Sequence, residues 1–203
     1  MAKNSWDKYR ITTGTLVVLS GPSGVGKDSI LDRLEEIYPA ARRCVTATTR
    51  RRRSGEAEGI DYFFLDKREF EEGIAKGGFL EYANVHGNLY GTPKEYVLEQ
   101  LREGIDVILK IDVQGAENIC RQIPGTVTVF VVPPSEEELL RRLTMRKTET
   151  EDEIRVRFEN AKKEFAKMHL YDYIIENDTV EDAAERLKAV LVSLRCKNGK
   201  KSK

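Results

Sequence analysis

The stretch GPSGVGKDSI, residues 21–30, constrains the fold of this chain more than any other part of it. An apolar run, TLVVLS at 15–20, precedes it and predicts a short buried strand. A helix is predicted over residues 27–38, because apolar side chains recur there on one stripe: Ile30, Leu31, Leu34 and Ile37. Glycines between a strand and a helix let backbone N–H groups turn inward around phosphate oxygens. The stretch therefore predicts a strand, a phosphate-binding loop and a helix in succession.

The loop matches the pattern G-x-x-x-x-G-K-[ST] at every fixed position except the last. Lys27 is expected to reach the outer phosphates of a nucleoside di- or triphosphate, and the alternative is a coincidental glycine-rich turn. Asp28 stands where a hydroxyl normally helps to hold a metal ion, and Ser29 offers a substitute hydroxyl one residue further along. The residues expected to bind the nucleotide phosphates are Gly21, Pro22, Ser23, Gly24, Val25, Gly26, Lys27, Asp28 and Ser29.

The balance of charge argues against a general nucleic-acid or membrane surface, because the 203 residues include 34 basic and 34 acidic side chains. No apolar run approaches the roughly 20 residues of a membrane span, and the first residues, MAKNSWDKYR, lack the apolar core of a secretion signal. Three widely spaced cysteines indicate reduced thiols, and His86 and His169 are too isolated for a structural zinc site. These features predict one cytoplasmic domain without nucleic-acid or membrane partners.

Strand and helix patterns alternate along the rest of the chain. Further buried strands are predicted at 105–111, 126–132 and 171–177, with helices at 114–122, 135–144, 151–168 and 180–195. Apolar strands separated by helices indicate an α/β fold with a mostly parallel sheet flanked by helices.

Two regions do not follow this alternation. Residues 45–95 are polar, glycine-rich and aromatic, which predicts a small β-rich insert followed by a short helix. Residues 145–152, MRKTETED, carry almost only charged side chains and threonine, which predicts an exposed mobile flap. We therefore divide the chain into an N-terminal extension (1–13), a core (14–44 and 105–195), the insert (45–95) with 96–104 returning to the core, the flap (145–152), and a basic tail (196–203) expected to be disordered.

A series of short motifs resembles the guanylate kinase family in order and spacing. They are GPSGVGK (21–27), TTRxxRxGE (48–56), DYFF (61–64), FLEYA (79–83), YGT (90–92), IDVQGA (111–116), PPS (133–135) and RKTET (146–150). The resemblance covers residues 14 to 190. It implies ATP- and Mg²⁺-dependent phosphorylation of GMP, and of dGMP, by direct in-line transfer in purine nucleotide metabolism. The implied enzyme has a P-loop core, a GMP-binding insert and a short lid, which corresponds to the flap.

The four consecutive arginines, Arg50 to Arg53, divide into two groups under this resemblance. Arg50 and Arg53 match arginines that bind the phosphate of GMP, and their forked guanidinium groups suit a phosphate dianion. Tyr62 and Tyr90 match hydroxyl donors to the same phosphate. Arg51 and Arg52 match no such role and are expected to be solvated or structural, although a basic run also suits a nucleic-acid patch.

Four residues stand at the positions that recognise the guanine base in the family. Glu81 and Asp112 are the acids, which suit guanine because a carboxylate accepts from both its N1–H and its exocyclic amine. Thr46 and Thr92 are hydroxyl residues that replace serines of the family. The alternative for Glu81 is an exposed acid on a strand, and this alternative is weaker for Asp112. Phe79, Tyr82 and Tyr96 are expected in the core rather than at the ligand.

Three arginines match lid and core residues that clamp the ATP phosphates and the transferred group: Arg142, Arg146 and Arg157. Positive charge and exclusion of water matter more for phosphoryl transfer than a general base does. Arg141 is instead expected on a solvated helix face, in salt bridges with neighbouring glutamates. Asn177 matches a residue near the adenine of ATP, and Lys147 replaces the usual glycine after the lid arginine.

Two departures from the family suggest a compensating pair. The resemblance implies serine at position 28 and an acid at position 110, whereas this chain has Asp28 and Lys110. An unpaired carboxylate among phosphates would be unfavourable, and so would an isolated lysine at a strand end. We therefore expect the two side chains to form a salt bridge, while Asp28 still offers oxygen to Mg²⁺. The alternative is that Lys110 contacts Asp112 or ATP.

Two other functions remain open at this point. A guanylate-kinase-like interaction module would keep the fold and bind a phosphopeptide in the acceptor cleft, but such modules typically have degraded glycine loops and lids. A kinase for another nucleoside monophosphate would not need Glu81 and Asp112, because adenine, cytosine and uracil lack the adjacent donors of guanine. The sequence does not distinguish a monomer from a homo-oligomer.

Overall fold

Strands and helices alternate within residues 13–85, 87–145 and 150–197, which the computed structural model describes. In chain order the strands are β1 (Leu16–Ser20), β2 (Ala41–Arg43), β3 (Thr46–Thr48), β4 (Tyr62–Phe64), β5 (Phe79–Val85), β6 (Asn88–Pro93), β7 (Asp106–Lys110), β8 (Val127–Val132) and β9 (Tyr173–Glu176). The helices are α1 (Lys27–Ile37), α2 (Lys67–Ala75), α3 (Lys94–Arg102), α4 (Val113–Gln122), α5 (Glu136–Thr144), α6 (Glu151–Phe165) and α7 (Val180–Arg195).

The larger sheet is parallel throughout, with the strand order β2-β7-β1-β8-β9. Its central strand, β1, is buried along its whole length because helices cover both faces. Apolar residues of α1, α5 and α7 pack against one face, and those of α3 and α4 pack against the other. The predicted α/β fold with a parallel sheet between helices is confirmed. Since Leu19 pairs with Lys110, the carboxyl ends of β1 and β7 lie side by side.

The smaller sheet lies between β2 and α3 in the chain and has the order β4-β3-β6-β5. It is mixed, because β3 pairs with β4 in parallel and with β6 in the antiparallel direction. Phe70 and Phe79 stack beneath it with ring centroids 4.3 Å apart, which confirms the expectation that Phe79 packs internally. Tyr82, in contrast, is 52% exposed, so its expected place in the core is wrong. The last residues of β5 extend away from the packed part of the sheet.

The elements differ from the sequence predictions at three places. Strand β2 was not predicted, because its sequence ARR has no apolar run and pairs with β7 through its backbone. Helix α2 was not predicted inside the insert, although a capping box between Asp66 and Glu69 marks its start. Helix α6 ends at Phe165 rather than at 168, and a 3-10 turn follows over Met168–Leu170.

A buried ion pair ties the start of the core sheet to the last helix. Asp106 is 0% exposed and accepts hydrogen bonds from the backbone N of Thr15 at 2.7 Å and from Nε of Arg195 at 3.0 Å.

Replacing Asp106 by alanine should lower the free energy of unfolding by about 2–4 kcal/mol, since Arg195 would lose its buried partner. Urea unfolding measures this change. Glu36→Ala, which breaks an exposed pair with Arg33, is the matched control and should have a much smaller effect.

Candidate active site

The glycine loop between β1 and α1 has the conformation that its sequence predicts. Gly26 has a φ of +90°, and a Cβ on it would lie 2.4 Å from Nδ2 of Asn177, so only glycine fits. The ammonium group of Lys27 donates hydrogen bonds to the carbonyl oxygens of Gly21 and Pro22. Burial lowers the pKa of Lys27 to about 8. A bound phosphate favours the charged form of the lysine and would raise this pKa again.

Asn177 and Arg142 brace the loop from outside. Asn177 is 3% exposed, and its Nδ2 donates to the carbonyl oxygen of Val25 at 2.7 Å. The guanidinium of Arg142 donates to the backbone oxygen of Asn177 at 2.9 Å and to Oε1 of Glu138 at 2.7 Å. Arg142 also approaches the backbone oxygen of Val25 at 3.5 Å, so it lies against the loop, and its expected role as a clamp stays a prediction. The amide nitrogen of Asn177 is thus bound to the loop. The expected contact of Asn177 with adenine stays a prediction.

The structure bears differently on the predictions for the other arginines in and near the lid. Arg157, on α6, donates a hydrogen bond to the hydroxyl of Ser23 in the loop. Arg141 forms two hydrogen bonds of 2.7 Å with the carboxylate of Glu138, which confirms its expected salt bridge. Arg146 and Lys147 lie outside the described residues, and so does half of the predicted lid, residues 146–149. The structure thus brings Arg142 and Arg157 to the loop from two different helices.

Of the predicted phosphate-binding residues of the insert, all except the exposed Arg53 lie in one cluster. The side chain of Arg50 is 14% exposed and donates a hydrogen bond of 2.6 Å to Oε1 of Glu56. Its guanidinium carbon lies 5.2 Å from the ring centroid of Tyr62, which in turn lies 6.1 Å from the ring centroid of Tyr90. The hydrogen bond with Glu56 keeps the pKa of Arg50 above its usual value. The cluster therefore presents one positive charge, held by Glu56, beside the ring of Tyr62.

Glu56 organises the arginine run and was not predicted to be functional. It accepts from Arg50 through Oε1 and from the backbone N of Arg53 through Oε2, at 2.7 Å. The hydrogen bond from Arg50 lowers the pKa of Glu56, with further contributions from Arg53. Arg51 and Arg52 are exposed, as expected for solvated residues. The sequence feature that could have identified Glu56 is the motif TTRxxRxGE, because Glu56 is its last residue and follows the arginines at a turn.

Glu81 and Thr92, two of the residues predicted to recognise guanine, are in direct contact. The hydroxyl of Thr92, which is 2% exposed, donates a hydrogen bond of 2.6 Å to Oε1 of Glu81. Burial raises the pKa of Glu81, the bond from Thr92 opposes this shift, and the nearby charge of Asp112 adds to it. Glu81 is therefore a partly buried acid rather than an exposed one. Asp112 also caps α4, because its Oδ1 accepts from the backbone N of Gln114 and Gly115.

A cleft of about 550 Å³ separates the core from the insert. The predicted residues Thr46, Tyr62 and Thr92 line it from the insert, and Asp28 and Lys110 line it from the core. Residues that were not assigned to the site also line it, among them Arg43, Cys44 and Tyr96. Tyr96 packs edge-on against Phe63 at 5.4 Å, so it supports the wall of the cleft as well as the core.

The expected contact between Asp28 and Lys110 is confirmed. The ammonium group of Lys110 donates a hydrogen bond to Oδ1 of Asp28. Arg43 approaches the same oxygen at 3.6 Å and also pairs with Asp32. Burial by itself would raise the pKa of Asp28, but the hydrogen bond and charge of Lys110, with Arg43 and Lys27, leave it below its usual value. Asp28 is therefore a carboxylate whose charge is balanced within the protein.

These features define a class of protein: a P-loop kinase with a cleft between its core and a β-rich insert. The chain belongs to the guanylate kinase family, because the family model described as guanylate kinase matches residues 13–194. It is 47% identical over 184 residues to a protein named guanylate kinase from Shouchella clausii, covering 91% of this chain and 90% of the relative. The activity of this family, ATP-dependent phosphorylation of GMP, makes the chain an ATP:GMP phosphotransferase.

Two solved structures are similar to this chain, one from the same family and one with low sequence identity. The crystal structure of guanylate kinase from Anaplasma phagocytophilum is similar, with a TM-score of 0.71 and 32% identity, covering 94% of this chain and 93% of that one. The SH3-kinase fragment of tight junction protein 3 is similar with a TM-score of 0.52 and 13% identity, covering 93% of this chain and 60% of that one. The second likeness concerns the fold alone. No helix among the described residues is long and apolar enough to cross a membrane.

Proposed function

We propose that the protein transfers the terminal phosphate of ATP directly to the phosphate of GMP, or of dGMP, in an in-line displacement. The partly buried Glu81, held by Thr92 at 2.6 Å and close to Asp112, is the observation that carries this proposal. Two acids that accept from the adjacent donors of guanine suit this base and no other common one. The residues proposed to bind GMP touch its base and phosphate only, so the 2′-hydroxyl is not required.

The proposed roles follow from the positions of the cations. Arg50 and Arg53, with the hydroxyls of Tyr62 and Tyr90, hold the acceptor phosphate on the insert. Lys27 and the backbone of the glycine loop hold the donor phosphates on the core. Arg142, Arg146 and Arg157 stabilise the charge of the transferred group, because each belongs to or adjoins the lid region. Preorganised cations of this kind provide most of the catalysis in phosphoryl transfer, together with exclusion of water.

Mg²⁺ is the proposed metal, and the donor atoms at the loop fit it. It would neutralise charge on the nucleotide phosphates, and Asp28 is the residue proposed to hold it, with Ser29 as a second oxygen donor. Asp28 supplies a hard oxygen ligand, and its side chain is 64% exposed. Within the described residues, no group of three or more His, Cys, Asp or Glu side chains could hold a metal ion alone. Nucleotide oxygens and water would therefore complete the coordination.

An interaction module that binds a phosphopeptide in the acceptor cleft is the alternative from another class. Against it stand the glycine loop with its lysine, the hydrogen bonds that hold Lys27 and Arg142 at this loop, and the Glu81–Thr92 pair. A module of that kind needs the phosphate cluster but neither the donor loop nor a base-recognising acid. We also propose that the enzyme acts in the cytoplasm in purine nucleotide metabolism, without nucleic-acid or membrane partners.

A coupled assay that measures ADP formation tests the proposal. With ATP and Mg²⁺, GMP and dGMP should be phosphorylated, while kcat/KM for AMP, CMP and UMP should be lower by at least about 1000-fold. The Lys27→Met variant controls for contaminating kinases and should lose activity with every acceptor. Comparable turnover of GMP and AMP would refute the assignment of Glu81 and Asp112. Binding of GMP without any ADP formation would favour the interaction module.

A further inference from the structure

The salt bridge between Asp28 and Lys110 lies at the mouth of the glycine loop and has a specific geometry. Two cationic side chains, those of Lys110 and Arg43, approach Asp28. Both contact the same oxygen, Oδ1. The side chains of Lys110 and Asp28 are 36% and 64% exposed, so neither is locked in the interior. Lys110 also lies close enough to Lys27 for its charge to lower the pKa of that lysine. The pair is therefore within the electrostatic reach of the phosphate-binding site.

We expect this pair to contribute little to the stability of the fold. Asp28 is in the first turn of α1, where the helix dipole already favours a negative charge. Exposed salt bridges contribute little to stability, typically about 0–1 kcal/mol. Such a pair opens readily when a competing ligand arrives. The role of Lys110 therefore concerns the charge of the phosphate site rather than the packing of β7 against α1.

We propose that Lys110 is an internal counter-ion that releases Asp28 when the nucleotide enters with its divalent cation. In the free protein the ammonium group neutralises the carboxylate, which would otherwise repel the nucleotide phosphates. When the metal–nucleotide complex binds, the carboxylate would be free to face the metal, and the contact of the ammonium group with phosphate would offset the salt bridge that it gives up. This inference rests on the proposed function, since it assigns a role to a residue of the same phosphate site.

The proposal predicts how nucleotide binding depends on the metal. Binding of ATP is measured by calorimetry in EDTA and again with excess Mg²⁺. Lys110→Met should weaken binding in EDTA by about tenfold, because Asp28 is then unbalanced, and should change binding in Mg²⁺ by less than threefold. Asp28→Asn should strengthen binding in EDTA by about tenfold and weaken it in Mg²⁺. The double variant should bind ATP in EDTA about as tightly as the wild type does.

A matched control separates this role from a general loss of an ion pair. Lys167 and Glu117 form a pair at 2.9 Å with exposures of 39% and 40%, away from the cleft. Lys167→Met makes the same chemical change and should alter ATP binding in neither buffer. Equal weakening by Lys110→Met in EDTA and in Mg²⁺, together with a lower melting temperature, would show that Lys110 is only structural and would overturn the proposal.

A second comparison uses the substitutions that restore the family pattern. Asp28→Ser alone leaves Lys110 without its partner, and Lys110→Asp alone places two carboxylates beside the phosphates. Each should reduce kcat/KM more than the two changes made together, whereas losses that simply add would overturn the pairing. The calorimetric result does not depend on turnover of GMP. A changed metal dependence without GMP kinase activity would refute the proposed function and leave this inference standing.

Discussion

Replacing Glu81 by glutamine should lower kcat/KM for GMP by about 100- to 1000-fold, with little change in KM for ATP. The hydroxyl of Thr92 donates to Oε1 of Glu81 at 2.6 Å and should keep the oxygen of the glutamine in that place. The amide nitrogen must then take the place of Oε2. A donor would meet the donors of guanine, so a charge-assisted hydrogen bond would be replaced by a repulsive contact.

The titration of Glu81 gives a second readout of the same role. Burial, the largest effect on this group, raises its pKa, so the carboxyl takes up a proton at a higher pH than an exposed glutamate does. Because only the ionised form accepts from guanine, KM for GMP should rise as the pH falls toward this raised pKa. In the Glu81→Gln variant this dependence should be absent. KM for ATP should not follow the same profile in either protein.

The control for this variant is Glu71→Gln, which makes the same change on the exposed face of α2 in the insert. It should leave kcat/KM for both nucleotides unchanged. An unchanged kcat/KM for GMP in Glu81→Gln would show that Glu81 does not recognise the base. A loss of the same size with ATP would instead indicate damage to the packing of the insert against the core.

The sequence predicts best those features that neighbouring residues determine. The glycine loop depends on the order of apolar strand, glycines, lysine and helix, and all of these lie within 15–38. The four apolar strands of the core sheet were predictable for the same reason. Strand β2 was not, because Arg42 and Arg43 carry no pattern and are placed by pairing with β7, more than sixty residues later in the chain.

Contacts between distant residues account for most of what the sequence could not predict. Asn177 supports Val25 across 152 positions of the chain, and no local pattern marks this contact. Arg43 approaches three acids of α1 because the sheet places β2 beside that helix. The pairing of Asp28 with Lys110 was predictable from two simultaneous departures from a family pattern. Two changes that are unfavourable singly suggest a contact where one change does not.

The exposed end of β5 shows the opposite error. Tyr82 has the apolar and aromatic character of a core residue and follows the partly buried Glu81, yet it is 52% exposed. Alternation along the strand would place Tyr82 on the same face as Leu80, which is 2% exposed. All four residues from Tyr82 to Val85 are nevertheless exposed. The strand therefore leaves the core after Glu81, and the aromatic character of a single residue could not predict where it does so.

Replacing Arg50 by alanine should lower kcat/KM for GMP by about 100-fold or more, mainly through KM, while KM for ATP changes little. The side chain of Arg50 is 14% exposed, and Glu56 fixes its orientation. A guanidinium held in this way gives a phosphate dianion two parallel hydrogen bonds. Arg50→Lys keeps the charge but loses this geometry, so its kcat/KM should lie between those of the wild type and the alanine variant.

Arg51 and Arg52 provide the matched controls, because they carry the same side chain in the same run and are exposed. Arg51→Ala and Arg52→Ala should change kcat/KM for GMP by less than about threefold, since the charges of solvated side chains are screened by water and salt. Circular dichroism must show that Arg50→Ala is folded, because Glu56 loses its partner there. If all three substitutions reduced RNA binding while kinase activity stayed normal, the run would be a nucleic-acid patch. A loss with Arg50→Ala but not with Arg51→Ala or Arg52→Ala instead identifies the positioned guanidinium of Arg50, rather than the summed charge of the run, as a group that binds the acceptor phosphate.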